Sequence, residues 1–310
     1  MSNDDHRWMG AALTLASRAV GTTWPNPPVG CIIIKDNRVI GRGHTQPTGR
    51  PHAESMALQG TNAKGATAYV TLEPCAHQSP RGPDCTTTLI KSGVARVVIA
   101  CKDPDPRTNG QGIAKLQAAG IEVISGTRAA ESRALMPGYI AGRPHITLKL
   151  ALSLDGSLAL ANGTSQWITG KRARIHAHIE RARADLIVVG SGTLAADHPK
   201  LDVRIPGIAR QPKPALLGRG PAPQGWEHFQ TIEMMQQSSA HSILVEGGAG
   251  VAASLLDADL VDRLLIYRAP ILMGGKGISL GLHEIPHDRW TPGPILTLAP
   301  DRLETYTRNR

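Results

Sequence analysis

Thr71-Leu72-Glu73-Pro74-Cys75-Ala76-His77-Gln78-Ser79-Pro80-Arg81-Gly82-Pro83-Asp84-Cys85 runs from the end of a predicted strand, through a proline-rich loop, to the start of a predicted helix. Its two cysteines flank nine residues. Upstream, His52-Ala53-Glu54 opens another predicted helix over residues 52–59, with Pro51 at its start. One imidazole and two thiolates make three ligands suited to zinc. They leave the fourth tetrahedral position open for water, as catalytic zinc requires. Bound zinc lowers the pKa of that water from ~16 to about 7. Glu54 need not touch the metal. From the same turn it can take a proton from water and hand it to a leaving amine. H-x-E alone is a weak signal, and buried cysteines are common as small hydrophobes. The conjunction of strand, Pro-Cys loop, helix and H-x-E is what points to a metal centre at His52, Cys75 and Cys85, with Glu54 as the proton carrier. Cys31 and Cys101 sit in uniformly apolar strand patterns and are expected in the core.

Around this stretch, strands and helices alternate. Helices are predicted over residues 6–21, 86–91 and 113–119, and strands over 66–72, 95–101 and 121–125. Residues 29–34 and 38–40 flank Asp36-Asn37 as a hairpin. The pattern breaks between Pro137 and Pro144 and then restarts. Strands are predicted at 145–152, 185–189, 242–245 and 263–267, with helices at 171–183 and 250–256. Residues 205–240, rich in Pro, Gly and Gln, receive no elements. Two α/β domains are expected, 1–144 and 145–310, each with helices covering a sheet.

Composition narrows the functions. Phe, Trp and Tyr total 3% of the chain, too few for stacking platforms that grip single-stranded nucleic acid. The net charge of +9 is spread out: 16 basic against 10 acidic side chains in residues 1–145, 18 against 15 afterwards. No Lys/Arg run marks a nucleic-acid element. That balance fits either a plain basic surface or an anionic ligand in each half. No apolar run reaches the ~18 residues of a membrane span. The first residues, Met1-Ser2-Asn3-Asp4-Asp5-His6-Arg7, lack a signal-peptide h-region, so a cytoplasmic protein without membrane contact is expected.

Thr23-Trp24-Pro25-Asn26-Pro27-Pro28-Val29-Gly30, His52-Ala53-Glu54, Thr71 to Cys75 and Lys102-Asp103-Pro104-Asp105-Pro106 together resemble the bifunctional deaminase/reductase family of riboflavin biosynthesis. The resemblance implies an N-terminal three-layer domain with the cytidine-deaminase fold. It also implies hydrolytic deamination of a diaminopyrimidinone ribosylamine 5′-phosphate, with Zn²⁺ on His52, Cys75 and Cys85 and proton transfer by Glu54. Asn26 would hold the pyrimidine, an amide offering both a donor and an acceptor. The family's usual loop reads C-x-H-x-G-R-T-P-P-C, and the loop here is one residue longer. His77 and Arg81 are therefore the candidates for meeting substrate in it.

In the second half, Gly190 with Gly192, and Gly247 with Gly248, follow predicted strands and could admit a phosphate to backbone N–H groups. Gly248-Ala249-Gly250-Val251-Ala252-Ala253 matches G-x-G-x-x-A, but no acidic strand end follows at Rossmann spacing. Ser153-Leu154-Asp155-Gly156, Ser165-Gln166-Trp167, Asp197, Arg204 and Glu246-Gly247-Gly248 as a set resemble the reductase half of the same family. That half is α/β with a dihydrofolate-reductase-like fold and uses NADPH to convert a ribosyl side chain to ribityl. By position, Ala151, Trp167, Thr193, Asp197, Gly248, Ala249, Gly250, Val251, Ala252, Ala253 and Ser254 would contact NADPH. Ser165, Arg181, Leu201, Arg204 and Glu246 would contact substrate, with Arg181 and Arg204 forking onto its phosphate. Lys149 is a further substrate-side candidate. Two other readings fit part of the sequence. One is a tRNA-type editing deaminase, whose P-C-x-x-C spacing is absent. The other is a deaminase whose second half serves only oligomer contacts. A homo-oligomer with a phosphorylated ribosylaminopyrimidine substrate, and no nucleic-acid partner, is the expectation.

Overall fold

Cys31-Ile32-Ile33-Ile34, Ala68-Tyr69-Val70 and Val97-Val98-Ile99 are apolar at nearly every position, the pattern of strands covered on both faces. The computed structural model describes residues 2–77, 82–160, 168–274, 277–280 and 287–309, and divides into two compact units, Met1–Gly142 and Arg143–Arg310. The first contains α1 (Asn3–Ala19), β1 (Gly30–Lys35), β2 (Arg38–His44), α2 (Ala53–Leu58), β3 (Thr67–Leu72) and α3 (Cys85–Ser92). It continues with β4 (Arg96–Cys101), α4 (Gln111–Ala118), β5 (Glu122–Ser125), α5 (Ala129–Leu135) and α6 (Pro137–Ala141). Its sheet has the order β2-β1-β3-β4-β5, parallel from β3 to β5.

Period-two alternation sorts the side chains into two cores. Cys31, Ile33, Val70, Val97 and Ile99 meet Ala53 and Ala57 of α2, Leu89 of α3 and Leu116 of α4. Ile32, Ile34, Tyr69 and Val98 meet Met9, Ala12 and Leu13 of α1. The result is three layers. Cys31 and Cys101 are both buried in the first core, as their apolar surroundings require. The β1–β2 turn at Asp36 and Asn37 has both residues at positive φ, the geometry of a two-residue hairpin. At Gly30 a Cβ would stand 2.0 Å from the Ala12 carbonyl oxygen, so the missing side chain lets α1 lie on the sheet. The segment expected as a break holds α6, with Pro137 at its first turn and Gly142 closing it left-handed. The helix α5 before it lacks any N-capping side chain, which hid it from the sequence.

Asp5 ties α1 to the sheet. Its carboxylate accepts from the Ser2 N–H, from the Tyr69 hydroxyl at 3.0 Å, and from Arg96 through two bonds of 2.8 and 3.0 Å. The Arg96 hydrogen bonds hold this carboxyl far below the usual carboxylate range, against its burial. A folded pKa depressed this way contributes stability above the unfolded value of about 3.9, lost as pH falls below it. Asp5→Asn is expected to cost about 3 kcal/mol at pH 7, the low end for breaking a buried pair. Thermal unfolding followed against pH checks this. The gap between the two proteins should narrow below about pH 4, and a gap independent of pH would refute the assignment.

The second unit contains β6 (His145–Leu152), α7 (Lys171–Arg183), β7 (Leu186–Gly190), α8 (Ser191–Asp197), β8 (Lys213–Leu217), β9 (Glu227–Phe229), α9 (Ile232–Gln236), β10 (Ser242–Val245), α10 (Ala249–Asp257) and β11 (Arg263–Arg268). It ends with β12 (Trp290–Pro292), β13 (Leu296–Leu298) and β14 (Asp301–Arg308). Its sheet, among the described residues, runs β12-β14-β11-β6-β10-β7-β8-β9, with β13 also on β14. From β11 to β9 every pairing is parallel; β14 is antiparallel to its neighbours. α10 packs Ala252, Leu255 and Leu256 on one face, against Leu186, Val188, Ile243 and Val245. Ala173 of α7 packs with Leu265, Tyr267 and Leu303 in a separate buried cluster.

Residues 205–240, left unassigned from sequence, hold β8, β9 and α9. Pro214 sits second in β8, before pairing to β9 starts at Ala215, so its missing N–H leaves that ladder intact. Gly190 and Gly192 do follow a strand, and no loop separates it from the next helix: Gly190 ends β7 and precedes α8 directly.

Candidate active sites

In the first unit the site forms at the end of β3, a central strand. Beyond Leu72 the chain passes through Glu73 and Pro74 to Cys75, and Cys85 is the first residue of α3. His52 is the N-cap of α2 and Glu54 lies in that helix's first turn. The Nδ1 of His52 and the two sulfurs lie within 4.8 Å of one another, His52 Nδ1 being 3.2 Å from Cys85 Sγ and 3.7 Å from Cys75 Sγ. The Cys85 backbone N–H donates to Cys75 Sγ at 3.3 Å. The hydrogen bond from Cys85, helped by His52, draws the Cys75 thiol down. The same contact, with burial, pushes Cys85 up. One sulfur is thus already favoured as thiolate. The donor set and its spacing fit a three-ligand zinc site. Glu54 is only 3% exposed, and burial raises its carboxyl above the usual range, which suits a group that must both take and give a proton.

Asn26 stands beside the cluster. Its Nδ2 donates to the Gly49 carbonyl at 3.0 Å and lies 3.1 Å from His52 Nε2, on the ring edge away from the sulfurs. His77 Nδ1 is 3.3 Å from Thr108 Oγ1, while Arg81 lies outside the described residues. Glu73 had no role assigned from sequence. Its buried carboxylate accepts from the N–H groups of Asp103 (3.3 Å), Gly110 (3.1 Å) and Ile113 (3.1 Å), locking the Pro74-Cys75 turn to the start of α4. Gly112 permits this approach, since a Cβ there would stand 2.3 Å from the Pro74 carbonyl oxygen.

In the second unit a cavity of about 940 Å³ opens at the carboxyl ends of the parallel strands β6, β7, β8 and β10, where open α/β sheets place ligands. Its size is at the upper end of the roughly 300–1,000 Å³ of ligand pockets, room for a dinucleotide. Ala151, Thr193, Asp197, Leu201, Arg181, Arg204, Glu246, Gly248, Ala249, Gly250 and Val251 all line it. Ala252, Ala253 and Ser254 do not. They lie farther along α10, where Ala252 is fully buried in the core and Ser254 bonds back to the Gly250 carbonyl. Ser165 and Trp167 lie outside the described residues. At Gly248 no side chain caps the N–H groups of the first turn of α10, a geometry that accepts anions. Gly247 admits Val251, whose Cβ would stand 2.9 Å from a Cβ there.

Arg181 departs from the sequence expectation. Its fork does not stand free for a phosphate: Nε and Nη2 donate to Glu246 at 2.7 and 2.9 Å, and Nη1 to the Asp202 carbonyl at 2.9 Å. Lys149 Nζ lies 3.9 Å from the same carboxylate and 5.8 Å from the Tyr267 ring. These two cations outweigh burial and hold the Glu246 carboxyl near about 2. Arg204, 60% exposed, lines the cavity as Arg174 and Lys200 do, with Asp202 at 3.4 Å. His178, not singled out from sequence, also lines the cavity and contacts the Asp202 carbonyl at 3.1 Å.

Comparison with known proteins gives two matches that follow the two units. Residues 2–101 match the model of the cytidine and deoxycytidylate deaminase zinc-binding region, and residues 144–223 and 229–306 match that of the RibD C-terminal domain. The riboflavin biosynthesis protein RibD of Escherichia coli is 39% identical over 338 residues, covering 91% of each chain. That of Corynebacterium ammoniagenes is 42% identical over 290 residues, covering 86% of this chain and 85% of its own. Among solved structures, Acinetobacter baumannii RibD (form 1) is 33% identical with a TM-score of 0.90, covering 99% of both chains. A Thermotoga maritima diaminohydroxyphosphoribosylaminopyrimidine deaminase/5-amino-6-(5-phosphoribosylamino)uracil reductase is 30% identical with a TM-score of 0.90, covering 98% of this chain and 99% of its own.

Proposed function

The chain belongs to the RibD family of riboflavin biosynthesis proteins, and from that premise we propose how its residues divide the work. The protein is a bifunctional enzyme with a cytidine-deaminase-like first fold and a dihydrofolate-reductase-like second one. It deaminates the diaminopyrimidinone ribosylamine phosphate hydrolytically, then reduces the ribosyl side chain of the aminouracil product to ribityl. Its cofactors are Zn²⁺ and NADPH. Bound zinc acidifies a water molecule, and bound NADPH supplies a hydride.

The observation that carries our assignment is the His52–Cys75–Cys85 cluster with buried Glu54 two residues from His52 in the first turn of α2. These three residues hold the metal. Glu54 takes the proton of the attacking water and returns it to the departing amine, releasing ammonia. Asn26 orients the pyrimidine from the His52 side. In residues 143–310, Ala151, Thr193, Asp197 and the first turn of α10 hold NADPH. Lys149, Glu246 and Arg181 form one charged unit against the substrate, and Arg204 takes its phosphate. Leu201 closes the apolar side of the same pocket. Among the described residues no helix is long and apolar enough to cross a membrane. Small-molecule sites in both units support a phosphorylated pyrimidine as the partner rather than a nucleic acid; a cytoplasmic homo-oligomer is part of the same proposal.

The test is ammonia release from the diaminopyrimidinone substrate, with and without NADPH. Deamination should proceed without NADPH, and NADPH oxidation should require the deaminated product. A fragment of residues 1–142 should release ammonia and transfer no hydride. Hydride transfer by that fragment would refute the division of labour.

A further inference from the structure

We propose that Arg50 is the residue that binds the substrate's 5′-phosphate in the deaminase unit. The proposal rests on the deaminase reading above and deepens it. Arg50 immediately precedes Pro51-His52, so the turn that places a metal ligand also places this cation. Its Nε is buried, with no hydrogen-bond partner among the described residues. Its Nη1 lies 3.9 Å from where a Cβ would stand on Gly82. The side chain therefore reaches from the His52 side to the loop joining Cys75 and Cys85. Gly82 has φ +129°, a backbone conformation that keeps this face of the loop bare.

A buried guanidinium donor without an acceptor is unfavourable unless a ligand completes it. The chemistry that matches is a phosphate, which accepts the planar fork through two oxygens at once. A carboxylate could satisfy the same fork, but the substrate of this unit carries a phosphate. The chain's departure from the family's usual pattern falls in the very loop that Arg50 faces. Arg50 is joined through Pro51 directly to the metal-ligand candidate His52.

The experiment uses the full-length, zinc-loaded protein and two substrates, the 5′-phosphate and its dephosphorylated counterpart, with ammonia release as the readout. Arg50→Gln should raise KM for the phosphorylated substrate roughly 10- to 100-fold, with kcat within about twofold. It should leave the dephosphorylated substrate's kinetics unchanged. Arg50→Lys should restore part of the affinity as a point charge, and zinc content should match the unaltered protein in both variants. Equal losses on the two substrates, loss of zinc, or no change on either would overturn the role of Arg50. Failure of the unaltered protein to deaminate both substrates would instead overturn the deaminase reading, and this proposal with it.

Discussion

Glu54→Gln is expected to lower ammonia release by roughly 10²- to 10⁴-fold while zinc content stays unchanged. The amide keeps the shape of the side chain but cannot carry a proton from water to the leaving amine. Glu54 is the group suited to that task. It lies in the first turn of α2, two residues past the His52 cap, is buried, and burial lifts its carboxyl above the ordinary range. Asn26 and His77 offer no carboxylate, and the neighbouring Glu73 is fully occupied by three backbone N–H groups. Reduction of substrate that is already deaminated should persist in this variant, because the residues assigned to it lie in 143–310. Ammonia release within tenfold of the unaltered protein would remove Glu54 from the mechanism, and loss of zinc would make it a ligand support instead. The contrast with Glu73→Gln is informative. That change weakens a cap on α4 and should lower thermal stability before it touches proton transfer.

His52, Glu54, Cys75 and Cys85 were legible in the sequence because metal chemistry restricts residue types, and because a Pro-Cys turn and an N-cap histidine are local features. The parallel strands were legible for a similar reason: runs such as Val97-Val98-Ile99 admit few alternatives. The rest depended on partners far away in sequence. Arg181 reads as a free phosphate fork until Glu246, 65 residues on, is seen to occupy it. Glu73 looks like a spare acid in a motif until the N–H groups of residues 103, 110 and 113 converge on it. α8 was hidden because glycines at 190 and 192 favour a turn locally. Packing decides otherwise: a Cβ at Gly190 would stand 2.4 Å from a Val251 methyl, so that glycine makes room for α10. Leu201, at φ +54° and 3% exposed, adopts a conformation that no sequence rule assigns to leucine. Tertiary burial holds it there, on the cavity wall.

Glu246→Leu is expected to abolish reduction and to cost about 3–5 kcal/mol of stability, because it leaves Arg181 buried without its partner. The carboxylate holds Arg181 through two hydrogen bonds and faces Lys149, so its loss frees both cations at once. Arg181→Met should be destabilising in the same way, by stranding the carboxylate. The double variant separates structure from chemistry. With both charges gone and apolar groups of similar volume in their place, most of the stability should return, since a buried pair replaced as a pair is often neutral. Reduction should not return, because Lys149 still lacks the carboxylate that positions it against substrate. Thermal unfolding and NADPH oxidation on deaminated substrate read the two effects separately. Ammonia release should be unchanged throughout, since its assigned residues lie in 1–142. A double variant destabilised by the sum of the two single losses would mean that Glu246 and Arg181 are not coupled. Recovery of hydride transfer in it would mean that the pair only supports the wall of the cavity, and that the reduction is carried by Lys149, Asp197 and Arg204 alone.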